Sequence, residues 1–311
     1  MKERREKNML EKIKNNKWWI YQKERFPFSQ YIPMILAFSF CAISYSSTLR
    51  GGQITISSYI VSFITTFFFF ALLRVADEFK DYEEDCKYRP YRAVPRGLVK
   101  LKELNVIGAI LMLVQFALAL IYNRFSIIVL SIVWLYFLLM CKEFFVSKWL
   151  KAHPTIYLLT HMGIMPLIDL YATSCDWLGF PITKTLFIGL VCYFVSSFCD
   201  GTVVEVGRKI RAEEDEEFGV ETYTALWGKK KAVSVWLICL TVSFISTAVA
   251  GFQVGVGIPL TILLIVFYIW GLVISYNFLK EPTSKHAKIF ETMSGIWMIV
   301  MYLALGLMPL I

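Results

Sequence analysis

Three aspartates follow a long apolar run at intervals of four residues. Asp77, Asp81 and Asp85 lie in the segment 74–85, RVADEFKDYEED. On an α-helix a step of four residues turns about 40° beyond a full revolution, so one face would carry all three carboxylates. Such stacking is unfavourable unless a cation neutralises it, and Mg²⁺ prefers oxygen ligands that it shares with substrate phosphates. The spacing therefore predicts a Mg²⁺ site, the alternative being a solvated acidic helix end.

A basic stretch comes directly after this acidic segment. It reads KYRPYRAVPRG over 87–97 and contains Arg89, Arg92 and Arg96. Guanidinium groups bind phosphate oxygens in a fork geometry. Carboxylates for Mg²⁺ beside a cluster of arginines therefore suit a diphosphate ligand.

A second loop, 200–222, repeats this mixture of charges. Its candidate metal ligands are Asp200, Glu205 and Asp215, and its candidate diphosphate ligands are Arg208, Lys209 and Arg211. If the two loops face each other above an apolar pocket, the ligand that fits is a prenyl diphosphate, with a charged head and an apolar tail.

The elements that must position these loops are long apolar helices. Hydrophobic residues make up 57% of the 311 residues, charged residues 18%, and the mean hydropathy is +0.57. This composition argues against a soluble enzyme, a disordered chain or a nucleic-acid-binding protein. A membrane-spanning helix needs about 20 apolar residues. The apolar runs predict nine spans: 32–49, 51–73, 104–122, 125–140, 154–170, 185–198, two within 232–279, and 292–311.

The charges of the connecting loops predict the orientation of these spans. With the N-terminus inside, 29 of the 32 Lys and Arg residues lie on the inner side, and only Arg50, Arg124 and Lys184 lie outside. Positive charge concentrates on the cytoplasmic side of membrane proteins. We therefore predict a multi-pass protein of the cytoplasmic membrane with a cytoplasmic N-terminus and an external C-terminus. Residues 1–31 form a basic amphipathic segment and 32–311 the nine-helix domain, which encloses a central apolar cavity.

The sequence resembles the UbiA superfamily of intramembrane prenyltransferases. The family's first motif is matched by Asp77, Asp81 and Asp85, and the segment 89–97 is similar to its loop rich in Arg and Pro. The second motif is matched in part, and the matching positions are Asp215, Gly219, Thr222 and Gly228. An aspartate that the family carries four residues before Asp215 is Arg211 here, so Glu205 or Asp200 is expected to supply that carboxylate. Lys142 begins a segment, 142–148, where relatives carry a basic substrate-binding loop.

The resemblance implies a Mg²⁺-dependent enzyme that ionises a prenyl diphosphate. Departure of pyrophosphate would leave an allylic carbocation, which an apolar pocket shields from water and aromatic faces stabilise. The candidate pocket residues are Tyr157, Tyr193, Tyr268 and His161. The cation would then alkylate an acceptor of unknown identity.

Two other functions remain open from the sequence. A terpene cyclase on the same scaffold would need no acceptor. The second loop departs from the family motif at Arg211, and such a departure is compatible with a different reaction. A transporter would carry polar groups near the membrane midplane on interrupted helices. The acidic clusters here lie at helix ends instead, which favours an enzyme.

Overall fold

The regular structure of the chain is helical throughout the part that is described. The computed structural model describes residues 16–217 and 220–311, and within them it contains only helices. The α-helices are α1 Lys17–Arg25, α2 Phe28–Arg50, α3 Ile56–Lys80, α4 Tyr82–Tyr88, α5 Leu101–Tyr122, α6 Ser126–Cys141, α7 Ser147–Ala152, α8 Pro154–Met162, α9 Ile164–Trp177, α10 Lys184–Gly207, α11 Tyr223–Trp227, α12 Lys229–Gln253, α13 Gly257–Lys280 and α14 Ser284–Leu307. The prediction of an all-helical membrane fold is confirmed.

Nine segments of the described chain correspond to the nine predicted spans. Eight are long and apolar enough to cross a membrane, with α8 and α9 together forming one of them, Pro154–Trp177. The ninth, α6, has 16 residues and a length of about 24 Å, which is less than the roughly 30 Å hydrocarbon core. The nine-helix count therefore holds when this shorter apolar helix is included.

Most spans are longer than their apolar runs. The first begins at Phe28 rather than residue 32, and α10 continues to Gly207 rather than ending at residue 198. Charged side chains are tolerated at helix ends near the membrane surface, where their head groups reach water. Apolar runs consequently mark where a helix crosses the bilayer but not where its hydrogen bonding ends.

The 48-residue charge-free run folds as two helices joined by a tight turn. The helices α12 and α13 meet at residues 254–256, where Gly255 has φ +80°. Glycine populates this left-handed conformation at little cost. The two helices pack closely beside this turn, since a Cβ at Gly251 of α12 would lie 2.6 Å from the Leu260 side chain of α13. The predicted hairpin is confirmed.

The core lies where α2, α3, α9, α10, α12 and α14 pack against one another, and α10 and α12 share the most extensive contact. Trp236 and Trp297 are fully buried there. Other helices present apolar side chains outwards: α13 exposes Ile258, Ile262 and Val266 along one side. Exposed aliphatic rows of this kind suit contact with lipid.

Ion pairs attach the short helix α1 to the end of the bundle that carries the acidic motif. Arg25 pairs with the buried Glu78 of α3, and Lys17 pairs with Glu103 of α5. Residues 1–15 of the predicted N-terminal segment lie outside the described residues. The described part of that segment is therefore attached to the same end as the acidic motif.

Candidate active site

The acidic motif spans the bend between two consecutive helices, with Asp77 in α3 and Asp85 in α4. Helix α3 ends at Lys80, Asp81 has φ −89° and ψ 2°, and α4 begins at Tyr82. The four-residue hydrogen bonding continues through the bend, because the Asp81 amide donates to the Asp77 carbonyl (2.9 Å) and the Asp85 amide to the Asp81 carbonyl (2.8 Å). The three aspartates therefore stay one turn apart, as the spacing predicts.

The Asp85 carboxylate forms ion pairs with two arginines of the following loop. Its side chain is buried, and Arg92 donates to both carboxylate oxygens at 2.6 and 2.9 Å. Arg89 donates to one of them at 3.2 Å. Both oxygens thus have partners, and the two predicted diphosphate ligands are bound to a predicted metal ligand. Arg96 turns away to pair with Glu24 of α1.

Asp77 and Asp81 keep more of their carboxylate surface open. Asp77 accepts a hydrogen bond from Arg74 at 3.1 Å, and 47% of its side chain is exposed. Burial raises the pKa of Asp81 above its usual value of 3.8, Asp85 and Glu84 raise it further, and Lys80 and Arg92 oppose them. Within the described part of the chain, Asp81 forms no ion pair, so its negative charge lacks a close partner.

These two carboxylates fit what Mg²⁺ requires. This ion is usually bound through one or two carboxylates together with substrate phosphates, rather than by a cage of protein ligands. Among residues 16–217 and 220–311, no three His, Cys, Asp or Glu side chains are grouped to hold a metal ion, so an ion bound here would need further ligands from the substrate. Asp77 and Asp81 are the oxygen donors available to such an ion.

The second loop begins with a compact ion-pair cluster at the end of α10. Glu205 accepts from Arg208 at 2.6 Å and from Lys209 at 3.0 Å. About half of the Arg208 side chain remains exposed, and its charge acts on Asp77 across the site. The charge of Arg208 therefore reaches the first acidic motif, and the closure of both loops over one ligand stays a prediction.

The rest of the second loop is closed by hydrogen bonds of its own. The Arg211 amide donates to Thr224, and the Glu216 carboxylate accepts from Thr222 and Thr224 at 2.6 to 2.9 Å. Asp215 is exposed on a short 3₁₀ turn, Glu213–Asp215. Gly219 lies outside the described residues. The loop thus brings Arg208 and Lys209 to the site through Glu205, whereas nothing in these contacts joins Asp215 to them.

A third segment, directly after α6, also enters the site. Glu143, Phe144 and Phe145 are consecutive non-glycine residues with φ of 49°, 51° and 60°. Side chains at such φ values cost roughly 1–2 kcal/mol each, and strain of this kind concentrates at functional sites. The turn buries Glu143, whose carboxylate lies 3.2 Å from the Lys80 ammonium.

Two of the predicted pocket residues surround this ion pair. The Tyr157 hydroxyl donates to Glu143 at 3.2 Å, and the Lys80 ammonium lies 4.4 Å from the centre of the Tyr157 ring. The His161 ring stacks on Tyr157 with a centroid separation of 4.0 Å, and its Nε2 is 3.2 Å from Lys80. Tyr157 and His161 therefore lie against the charged groups of Lys80 and Glu143 and do not form part of an apolar pocket wall.

The remaining predicted residues lie elsewhere. Asp200 is buried inside the bundle, where it accepts from Ser243 (2.6 Å) and Trp297 (2.9 Å). Tyr193 is buried and stacks on Tyr45 in the core. The others are Tyr268, whose hydroxyl bonds to that of Thr241 between α12 and α13, and Lys142, which is exposed at the end of α6. The structure therefore does not bring these four residues into contact with Asp77 or Asp81.

Comparison with known proteins identifies the family. Residues 35–305 match the UbiA prenyltransferase family, which is most of the chain. The protein belongs to the UbiA prenyltransferase family. No curated protein matches the chain individually.

Solved UbiA structures share this fold. A structure of a digeranylgeranylglyceryl phosphate synthase is 21% identical, has a TM-score of 0.63, and the match covers 94% of this chain and 98% of that one. The apo structure of a UbiA homologue from Aeropyrum pernix K1 is 14% identical, has a TM-score of 0.65, and covers 86% and 97%. At these identities the likeness establishes the UbiA fold and leaves the substrate to be argued from the site.

Three residues of this UbiA site were not predicted from the sequence. Lys80 lies inside the acidic motif, Arg74 precedes it by a turn, and Glu143 is the single acidic residue of the segment 142–153. The isolation of Glu143 among basic and aromatic neighbours was a usable signal. Its partners Lys80 and His161 are distant in sequence, so the pairing itself could not be read from the chain.

Proposed function

We propose that this UbiA protein is a Mg²⁺-dependent prenyltransferase that ionises a prenyl diphosphate and transfers the isoprenoid chain to an acceptor. The observation that supports the proposal is that Asp77 and Asp81 lie at one end of an apolar helical bundle, where the charge of Arg208 from the second loop acts on Asp77. Oxygen donors for a divalent cation and cationic donors for phosphate oxygens then meet in one place.

Each charged segment has a part in binding the diphosphate. Asp77 and Asp81 would hold Mg²⁺, which neutralises phosphate charge and favours departure of pyrophosphate. Arg208 and Lys209 would bind phosphate oxygens while Glu205 fixes their position. Asp85 acts indirectly, because it orients Arg89 and Arg92 toward the same end of the bundle.

The ion pair of Lys80 and Glu143 supports the leaving group. Lys80 is one residue from Asp81, so its ammonium group is placed to stabilise the negative charge that develops on departing pyrophosphate. Glu143 and the Tyr157 ring hold that ammonium group from two sides. The apolar pocket for the isoprenoid chain, below these loops, remains a prediction.

The test uses purified protein with Mg²⁺ and farnesyl or geranylgeranyl diphosphate. Pyrophosphate release and the organic products are measured with and without added acceptors. The proposal predicts release that stops on removal of Mg²⁺ and a prenylated product when an acceptor is present. A cyclic hydrocarbon or terpene alcohol formed from the diphosphate alone would show a cyclase instead, and no release with either donor would contradict the proposal.

A pair of variants tests the phosphate ligands. Replacing both Arg208 and Lys209 with Gln should raise the KM for the prenyl diphosphate at least ten-fold, because charge-assisted hydrogen bonds contribute about 1.5–3 kcal/mol each. The matched control is Lys285→Gln, an exposed lysine at the same end of the bundle. An unchanged KM in the double variant would remove these residues from the diphosphate site.

A further inference from the structure

A surface beside the second charged loop lies where the chain enters the membrane span of α12. The short helix α11 and the first turn of α12, residues 229–231, form this surface, which we call the α11 surface. The apolar span begins at Lys229, so α11 ends at the level where the bundle meets the membrane surface. The Leu226 side chain is 41% exposed there, and the half-buried Trp227 beside it is of a residue type enriched at membrane interfaces.

The three lysines of the α11 surface have no carboxylate partner. Lys229, Lys230 and Lys231 are all exposed, and none of them forms an ion pair with any residue of 16–217 or 220–311. Residues 220–231 contain a single carboxylate, Glu221, against these three lysines. The helix macrodipole also disfavours positive charge in the first turn of α12. Negative charge from outside the chain would therefore stabilise this turn.

A row of side chains connects the α11 surface to Lys209, a candidate diphosphate ligand. The Lys231 ammonium lies 5.7 Å from the centre of the Trp227 ring, whose centre is 4.4 Å from that of the Tyr223 ring. The Lys209 ammonium lies 5.4 Å from the Tyr223 ring centre on the far side of the row. A cation within about 6 Å of a ring centre can be attracted by the ring. Exposed lysine and charged loop are therefore linked through two aromatic rings.

Two hydrogen bonds also join the backbone of the loop to α11. The Tyr223 amide donates to the Lys209 carbonyl at 3.1 Å, and the Arg211 amide donates to the Thr224 hydroxyl at 2.9 Å. Tyr223 and Thr224 are both buried, so these bonds are shielded from water. A change in the position of α11 is therefore transmitted to the loop residues 209–211.

Charge and position together indicate the partner of the α11 surface. Lysines at the edge of a membrane span attract anionic phospholipid head groups, and their apolar stems let the ammonium groups reach these head groups. The exposed leucine and the tryptophan suit the boundary between head groups and acyl chains. A neutral phospholipid would make the same apolar contact but would supply no net charge to the lysines.

We propose that the α11 surface binds anionic phospholipid of the surrounding bilayer, and that the bound lipid holds α11 so that Arg208 and Lys209 are placed for the diphosphate. The first half of this inference concerns binding alone. The second half rests on the proposed prenyltransferase function.

Native mass spectrometry of the purified protein tests the binding, with phosphatidylglycerol and phosphatidylcholine of identical acyl chains. The protein should retain phosphatidylglycerol preferentially, and the combined substitutions Lys229→Gln, Lys230→Gln and Lys231→Gln should reduce that preference roughly ten-fold. A matched control removes the same charge from exposed lysines of α1 and the start of α5 and should keep the preference. Its substitutions are Lys23→Gln, Lys100→Gln and Lys102→Gln.

Three results would overturn the lipid site. The first is equal retention of the two lipids by the unmodified protein, and the second is an equal loss of preference in the two triple variants. The third is displacement of phosphatidylglycerol by soluble glycerol phosphate at the same concentration, which would assign the lysines to a free phosphate ligand instead.

Nanodiscs of phosphatidylcholine, with and without phosphatidylglycerol, test the link to the active site. An anionic bilayer repels a diphosphate, so electrostatics alone would raise the KM for the prenyl diphosphate. The inference predicts the opposite sign: phosphatidylglycerol should lower this KM roughly three-fold in the unmodified protein, because the charge-assisted contacts are better placed. In the variant at 229–231 the KM should rise instead. An unchanged or raised KM in the unmodified protein would overturn the link.

Amide hydrogen exchange separates this inference from the proposed function. Phosphatidylglycerol should slow exchange of the Tyr223 and Arg211 amides whether or not the protein releases pyrophosphate. If exchange slows and no pyrophosphate is released, the prenyltransferase proposal fails and the lipid site stands. If pyrophosphate is released and phosphatidylglycerol leaves exchange unchanged, the effect of lipid on the loop fails alone.

Discussion

Asp81 and Asp85 are one helical turn apart and have different electrostatic surroundings. Asp85 is enclosed by two guanidinium groups, whereas Asp81 forms no ion pair among the described residues and lies near the carboxylates of Asp85 and Glu84, which Lys80 and Arg92 oppose. The first arrangement stabilises the structure of the loop, and the second provides an open binding position for a cation. Asp81 and Asp85, although identical residues of one motif, thus have different roles.

This difference predicts contrasting effects of two substitutions. Asp81→Ala should abolish turnover, with a loss of at least 100-fold, and leave thermal stability in detergent unchanged. Asp85→Ala should lower the free energy of unfolding by about 3 kcal/mol, because it leaves Arg92 and Arg89 without their buried partner. Activity assays and thermal unfolding of both proteins make the comparison. Near-normal turnover in Asp81→Ala would refute the metal assignment.

The pKa of Asp81 also predicts how activity depends on pH. Cation binding requires the deprotonated carboxylate, and the pKa of this group is raised, so activity should fall with decreasing pH earlier than for an exposed aspartate. Glu84 contributes to this raised pKa. Glu84→Gln should therefore move the acidic limb of kcat/KM to lower pH.

Glu83→Gln is the matched control for this shift. Glu83 is exposed on the same helix, and the charges that act most on the pKa of Asp81 are those of Lys80, Asp85, Glu84 and Arg92. Its replacement should leave the acidic limb in place. Equal shifts in the two variants would mean that net charge, and not the local field at Asp81, sets the pH profile.

At the scale of elements, the left-handed turn 143–145 sets the position of the Lys80 and Glu143 pair. Phe145 is 77% exposed, so its backbone conformation costs energy that its side chain regains only in small part from packing. Phe144 contacts Tyr136 and His161 with its ring. The strain is therefore compensated by contacts of the neighbouring residues.

Phe145→Gly should consequently stabilise the protein. Relief of the left-handed conformation is expected to raise the free energy of unfolding by about 1 kcal/mol. Phe145→Ala removes the same ring but keeps the strained conformation, so it should give no gain. Thermal unfolding in one detergent compares the two. A gain in both variants would attribute the effect to the exposed ring instead of the backbone.

Elements whose signal is local could be predicted from the sequence. The apolar runs gave the spans and the α12–α13 hairpin, and the four-residue spacing kept Asp77, Asp81 and Asp85 one turn apart. The left-handed turn could not be predicted, because Glu143, Phe144 and Phe145 have no local preference for it. The ion pair of Asp85 with Arg92 and the burial of Asp200 could not be predicted either, because distant residues and tertiary packing determine both.

At the scale of the molecule, charge separates the two ends of the bundle. Ion pairs join the first charged loop to the turn after α6 and to helix α1, and the second charged loop lies at the same end. At the other end Arg50, one of the few basic residues there, pairs with Asp176 at 2.9 Å. Because lysine and arginine concentrate on the cytoplasmic side, the end with the candidate active site should face the cytoplasm.

Cysteine labelling tests this orientation with the natural sequence. Cys86 of α4 is exposed beside the acidic motif, while the other six cysteines are buried or half-buried. A membrane-impermeant maleimide should therefore label Cys86 in inverted vesicles and not in right-side-out vesicles. As a control on the opposite end, Ser57→Cys in a Cys86→Ser background places an exposed thiol at the start of α3 and should show the reverse pattern. Labelling of Cys86 from the outer side would invert the predicted topology and place the candidate active site on the outer face of the membrane.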